Sequence, residues 1–98
     1  MSKIVALFEA PGLSTEHYDL LMKEMMAPTG KFPDPNLIAH TAFLKGDVFC
    51  VVDVWPSEAA LNDFGMNILM PIFAKLGIAP PPPPKVYPLV NIIKTPGN

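Results

Sequence analysis

The period of hydrophobic positions changes several times along the chain, and each change marks an element. Residues 3–9, Lys-Ile-Val-Ala-Leu-Phe-Glu, are an apolar run between charged ends, which reads as a strand buried on both faces. Pro11-Gly12 ends it. Ser14 then stands as a helix N-cap, with Leu13 and Tyr18 at the two positions of a hydrophobic staple. Tyr18, Leu21, Met22 and Met25 recur at helical spacing, and Asp19, Lys23 and Glu24 lie off that stripe. This predicts a helix to Met26, stopped by Pro28. From Pro28 to Asn36, prolines and a glycine exclude regular structure, and Phe32 is the one residue able to anchor the loop. Such a loop either crosses to the next strand or forms a lid.

Between Leu37 and Trp55, two apolar runs flank Gly46-Asp47. Glycine first in a two-residue loop predicts a type II′ hairpin. Lys45 then faces Val48, and His40 faces Asp53. Pro56 ends the second strand and Ser57 caps a second helix, whose stripe includes Leu61, Phe64, Ile68, Ile72 and Phe73. Pro71 lies inside that stripe, where a proline costs about 3 kcal/mol in a regular helix. A kink near 65–70 is expected, with Pro71 starting a second segment and Gly77 ending it. Pro80 to Pro84 predict a stiff polyproline spacer rather than a docking motif, because a strand follows at once. That strand, residues 85–94, contains Pro88, which pushes it towards a sheet edge. Residues 95–98 read as a loose tail.

The order strand, helix, strand, strand, helix, strand predicts an α+β fold. It is the ferredoxin-like βαββαβ arrangement, a four-stranded antiparallel sheet with both helices on one face, and residues 1–98 form a single domain. Neither face of the predicted hairpin is polar. One carries Ala39, Thr41, Phe43, Cys50, Val52 and Val54, and the other Ile38, His40, Ala42, Leu44, Phe49, Val51, Asp53 and Trp55. Helices cover one face, so the second is expected to meet a second copy of the chain as a homodimer through the sheet face. Ile38, His40, Asp53, Trp55, Tyr87 and Asn91 are expected on that face, around a cavity between the two sheets, because their polar groups need water or ligand. Thr41 and Cys50 are expected under the helices.

Composition sharpens the expectation of a partner. Of 98 residues, 50% are hydrophobic and 16% charged, which is apolar for a chain with so much surface per volume. A net charge of −2 without a basic tract argues against nucleic acid. A single cysteine, Cys50, excludes an internal disulfide framework and is expected to be an inert buried thiol. No stretch has the makings of a signal peptide or membrane span, so a cytoplasmic protein with no membrane partner is expected.

The stretch Val-Val-Asp-Val-Trp-Pro-Ser-Glu-Ala-Ala-Leu-Asn-Asp-Phe resembles the third strand and second helix of the dimeric α/β-barrel (antibiotic biosynthesis monooxygenase-like) superfamily. The opening Ile-Val-Ala-Leu-Phe-Glu-Ala-Pro-Gly-Leu-Ser, the strand Leu-Ile-Ala-His-Thr-Ala and the segment Gly-Ile-Ala-Pro-Pro-Pro-Pro-Pro-Lys-Val-Tyr-Pro-Leu-Val-Asn resemble a small, mostly uncharacterised bacterial subgroup of it. The resemblance implies a dimeric α/β barrel. The superfamily includes cofactor-free quinol oxygenases, haem-degrading enzymes and muconolactone-type isomerases, with no shared catalytic set. Where members of the subgroup often carry a histidine, this chain has Val90.

His40 and Asp53 are the candidate catalytic pair, a general base and the carboxylate that orients its ring. Trp55, Tyr87 and Ile38 would wall a small aromatic or polyketide-like substrate, and Asn91 would hold a substrate oxygen. This suits a cofactor-independent oxygenase or isomerase that begins with proton abstraction. The competing reading is a non-catalytic ligand-binding or structural homodimer, in which the pair fixes the interface. Two ligands per chain are too few for a metal site, so no metal and no cofactor are expected. Haem binding is a third, weaker reading. His17 is expected to face solvent.

Overall fold

A computed structural model describes residues 3–27 and 29–94. Strand β1 (Ile4–Ala10) leads into helix α1 (Thr15–Met26). Strands β2 (Ala39–Lys45) and β3 (Val48–Trp55) form a hairpin. Helix α2 (Glu58–Phe64) continues through a π-helical turn (Gly65–Leu69) into α3 (Met70–Leu76), and the short strand β4 (Lys85–Pro88) closes the sheet. Every pairing is antiparallel, in the order β2-β3-β1-β4. The expected helix stop at Pro28 and the tail at 95–98 lie outside the described residues.

Local chemistry explains these elements. The Ser14 hydroxyl accepts from the His17 backbone N–H, and the His17 ring accepts from the Ser14 N–H, so two of the free donors at the start of α1 are satisfied reciprocally. His17 is therefore a half-buried capping residue, not the solvent-facing side chain expected. In the hairpin, Gly46 takes φ +60°, and Lys45 pairs with Val48 and His40 with Asp53, the expected register. The irregularity expected near 65–70 takes the form of the π-turn Gly65–Leu69 within a continuous helical run, not a break. A proline cannot donate to the preceding turn, and the chain accommodates this by widening into the π-turn and restarting with Pro71 in the first turn of α3. Gly77 ends α3 in the left-handed conformation, with φ +68°.

Strand β4 is shorter than expected. Pairing with β1 stops at Pro88, and beyond it Leu89 N–H still donates to the Lys3 carbonyl at 2.9 Å. Asn91, Val90 and Ile93 are exposed outside the sheet. Asn91 thus does not join His40, and Val90, almost fully exposed, faces no site formed by this chain.

The two sheet faces are exchanged relative to expectation. Residues aligned with Asp53 across the sheet are Ala6 on β1 and His40 on β2, and Ala6 in turn pairs with Val86 on β4. This row lies under the helices. Trp55, fully buried, packs on Phe64 of α2 with ring centroids 5.1 Å apart, and Phe49 meets Tyr18 of α1 at 4.9 Å. Ala6, Met25, Trp55, Leu61 and Phe64 form the core cluster. The opposite face carries Val5, Leu7, Phe43, Val52 and Tyr87, together with Thr41 and Cys50, and has no helix on it. Thr41 is exposed there, and Cys50 is buried within the strand layer rather than beneath a helix.

The exchange has a simple cause. Polar side chains under a helix are costly only if unpaired, and among the described residues no buried side-chain nitrogen or oxygen lacks a partner. The helix brings one of those partners with it.

Candidate functional site

Four side chains from three elements form a hydrogen-bonded row between the sheet and the helices. His40 on β2 and Asp53 on β3 are direct cross-strand partners, and His40 Nδ1 stands 2.6 Å from Asp53 Oδ1. Trp55, two residues along β3 and so on the same face, donates its indole N–H to Asp53 Oδ2 at 3.3 Å. Tyr18 descends from the apolar stripe of α1, and its hydroxyl lies 2.6 Å from His40 Nε2. The Tyr18 and His40 ring planes are parallel to within 2°.

The hydrogen bonds constrain the ring. A carboxylate accepts and a neutral phenol donates, so the arrangement that forms both bonds with a neutral ring has Nδ1–H donating to Asp53 and Nε2 accepting from Tyr18. Burial pushes the Tyr18 phenol above its ordinary value, and the Asp53 charge and then Asp19 push it the same way, so Tyr18 is a neutral donor at pH 7. Asp53 is buried, and His40, between it and Tyr18, is half-buried.

The row opens into a cavity of about 70 Å³ between the sheet and the helices. Its floor is Phe8, Ala10, Phe49 and Val51, with His40 and Asp53 at one corner. Its roof is Tyr18, Leu21, Met22 and Met25 of α1 with Leu69 and Phe73 from the π-turn and α3. Phe32 closes one side from the loop after α1 and packs on Phe64 with centroids 5.3 Å apart. Pro81 of the proline run closes another. The expected anchor of the loop is thus also a cavity wall.

The cavity belongs to one chain and lies on the helix side, not between two sheets. Of the residues expected around it, His40 and Asp53 line it. Trp55 supports Asp53 from the core rather than forming a wall. Ile38 donates its backbone N–H to the Val54 carbonyl at 2.9 Å just before β2, and its side chain is not among the lining residues. Tyr87 pairs with Val5 on the opposite face and is half-exposed there. Sequence reading missed Tyr18 as a polar participant. Its signal was present: a tyrosine on a core-facing helical stripe must find a partner for its hydroxyl. Among the described residues no group of three or more His, Cys, Asp or Glu stands close enough to hold a metal ion.

One pH dependence follows. A phenol whose folded pKa is raised keeps its proton longer in the folded chain than in the unfolded one. Stability from the buried neutral Tyr18 is therefore complete below pH 10, the ordinary tyrosine value, and is lost as the pH rises through the folded value. Unfolding midpoints in urea are expected to fall more steeply above pH 10 in the native chain than in Tyr18→Phe. Equal slopes would show that Tyr18 ionises as freely in the folded chain as in the unfolded one.

The chain is similar in structure to a crystal structure described as the NE2512 protein of unknown function from Nitrosomonas europaea. The TM-score is 0.66 at 18% identity, and the match covers 99% of this chain and 98% of that one. The similarity supports the α+β fold with a four-stranded antiparallel sheet. No family model and no curated protein matches the sequence.

Proposed function

We propose that this chain is an acid–base protein acting, without a bound cofactor, on a small hydroxyl-bearing aromatic or enol, in the manner of a cofactor-independent oxygenase or isomerase. The observation that carries this reading is the row Tyr18–His40–Asp53 opening into an otherwise apolar cavity. A carboxylate-oriented imidazole can take up a proton and hold it beside a negative partner, and apolar walls strengthen such a charge shift. The strand order β2-β3-β1-β4 supports reading the fold as the ferredoxin-like βαββαβ arrangement. The bare sheet face then suits the dimeric α/β barrel, with two copies packing face to face. Phe43 and Tyr87, 41% and 51% exposed, would be central to that contact.

The competing reading is a non-catalytic homodimer in which the row only orders the helix on the sheet. It is favoured by the small size of the cavity. One experiment separates them. Single-ring phenols, quinols and enol lactones are titrated into ¹⁵N-labelled protein, and turnover is followed by oxygen uptake and by isomer formation. The acid–base reading expects millimolar or tighter binding that shifts the His40 ring signals, with turnover lost in His40→Asn. Unmoved His40 signals across the series would leave the structural reading. Sedimentation addresses the dimer separately: Phe43→Glu is expected to convert a dimer into monomers, and a native chain that sediments as a monomer would rule the sheet contact out.

A further inference from the structure

Both nitrogens of the His40 ring are already engaged, Nδ1 with Asp53 and Nε2 with the Tyr18 hydroxyl, each at 2.6 Å. The imidazole therefore has no lone pair to offer a ligand. The Tyr18 oxygen has one, because a phenol that donates its hydrogen still accepts. We propose that Tyr18 Oη, not His40, is the atom that exchanges a proton with the ligand, and that the ligand is an uncharged single-ring phenol or enol. This rests on the acid–base reading above and names its working atom and substrate class.

The transfer balances without a co-reactant. The ligand O–H bond breaks and a new O–H bond forms on Tyr18. The original Tyr18 hydrogen moves to His40 Nε2. The ligand is now an oxyanion, His40 an imidazolium and Asp53 still a carboxylate facing Nδ1–H. Tyr18 is a neutral phenol before and after, as its surroundings require. In the second state Nε2–H donates to Tyr18, which frees the Tyr18 O–H to point at the new oxyanion. Return of the proton to oxygen restores the phenol, and return to a conjugated carbon gives the keto tautomer.

The cavity selects the ligand by charge and size. Among the described residues no lysine or arginine lines it, and its ionisable groups there are Tyr18, His40 and Asp53. A carboxylate or phosphate would face Asp53 with no fixed positive charge opposite. Phe8, Phe32, Phe49 and Phe64 offer flat apolar walls. The volume, about 70 Å³, is roughly half that of a cavity of about 150 Å³ that admits benzene. One ring enters if a wall such as Phe32 moves outward. A fused polyketide-like system needs far more room.

The chain has two tyrosines, and Tyr87 sits on the opposite face of the sheet as an internal control. The protein is labelled with 3-fluorotyrosine and titrated with 4-nitrophenol, whose yellow phenolate reports its own ionisation. The ¹⁹F signal of Tyr18 is expected to shift and that of Tyr87 to stay. Bound probe is expected to show more phenolate than free probe at the same pH, and Tyr18→Phe to reduce that excess about tenfold or more. Excess phenolate that survives in Tyr18→Phe but disappears in His40→Asn would overturn the assignment to Tyr18 and leave the acid–base reading standing. No Tyr18 shift and no excess phenolate in the native chain would overturn both. The ¹⁹F measurement needs no substitution, so it decides even if Tyr18→Phe fails to fold.

Discussion

Trp55→Ala is expected to lower the unfolding free energy by about 3–5 kcal/mol. Trp55 is fully buried, sits at the end of β3 in the central part of the sheet and packs against Phe64. Truncation removes the largest side chain of the core cluster and leaves a hole that Ala6, Leu61 and Phe64 cannot collapse to fill. A small domain has roughly 5–15 kcal/mol to lose, so the variant is expected to be partly unfolded at 37 °C. The damage also reaches the site, since Asp53 Oδ2 loses its indole donor. Trp55→Phe separates the two effects. It keeps an aromatic ring in the core but removes the N–H together with part of the ring volume, so its cost is expected to be smaller, about 1–3 kcal/mol. Urea denaturation followed by circular dichroism measures both. A cost below about 1 kcal/mol for Trp55→Ala would contradict a core built on this residue.

The second large effect is expected at Asp53. Asp53→Ala leaves two donors beneath the helices, His40 Nδ1–H and Trp55 Nε1–H, without their acceptor. The buried indole donor left unpaired costs about 1–3 kcal/mol and the half-buried His40 donor costs less, so the combined loss is on the order of 2–4 kcal/mol. Asp53→Asn is milder for stability, because the amide oxygen still accepts one of the two. On the proposed acid–base reading, its effect is on proton transfer. A neutral amide cannot balance an imidazolium, and its NH₂ can donate to Nδ1 and turn the ring to the other tautomer. Turnover in the cavity is expected to fall by about 10²–10⁴-fold, the range for losing an acid–base contribution. Imidazole ¹⁵N shifts read the tautomer directly. An Nδ1–H tautomer retained in Asp53→Asn, with unchanged turnover, would remove Asp53 from the proposed chemistry.

Cross-strand placement and helix docking contributed differently to this site. His40 and Asp53 could be paired from the sequence because Gly46-Asp47 allows few turn geometries, and the turn sets the register of everything beyond it. The same turn cannot say which side of the sheet the helices take. That choice was expected from the polar residues, on the view that an imidazole and a carboxylate would avoid a helix. The opposite arrangement forms because Trp55 and Phe49 on the same face have most to gain from burial, and Tyr18 supplies His40 with a partner from the helix itself. Tyr87 and Asn91 separated from the site for local reasons. Tyr87 follows the alternation of β4 onto the bare face, and Asn91 lies past Pro88, where the ladder ends.

The sequence by itself determined the order of the elements, most of their bounds and the hairpin register, because turn residues, caps, prolines and hydrophobic period act over a few neighbouring residues. It also determined that a histidine and a carboxylate would meet. Only the tertiary structure decided that they meet under α1, that Tyr18 completes the row, and that Phe32 and Pro81 close the cavity around it. Those contacts join segments far apart in the chain. Which of them form is settled by the packing of whole faces, and that competition leaves no mark on any single stretch of residues.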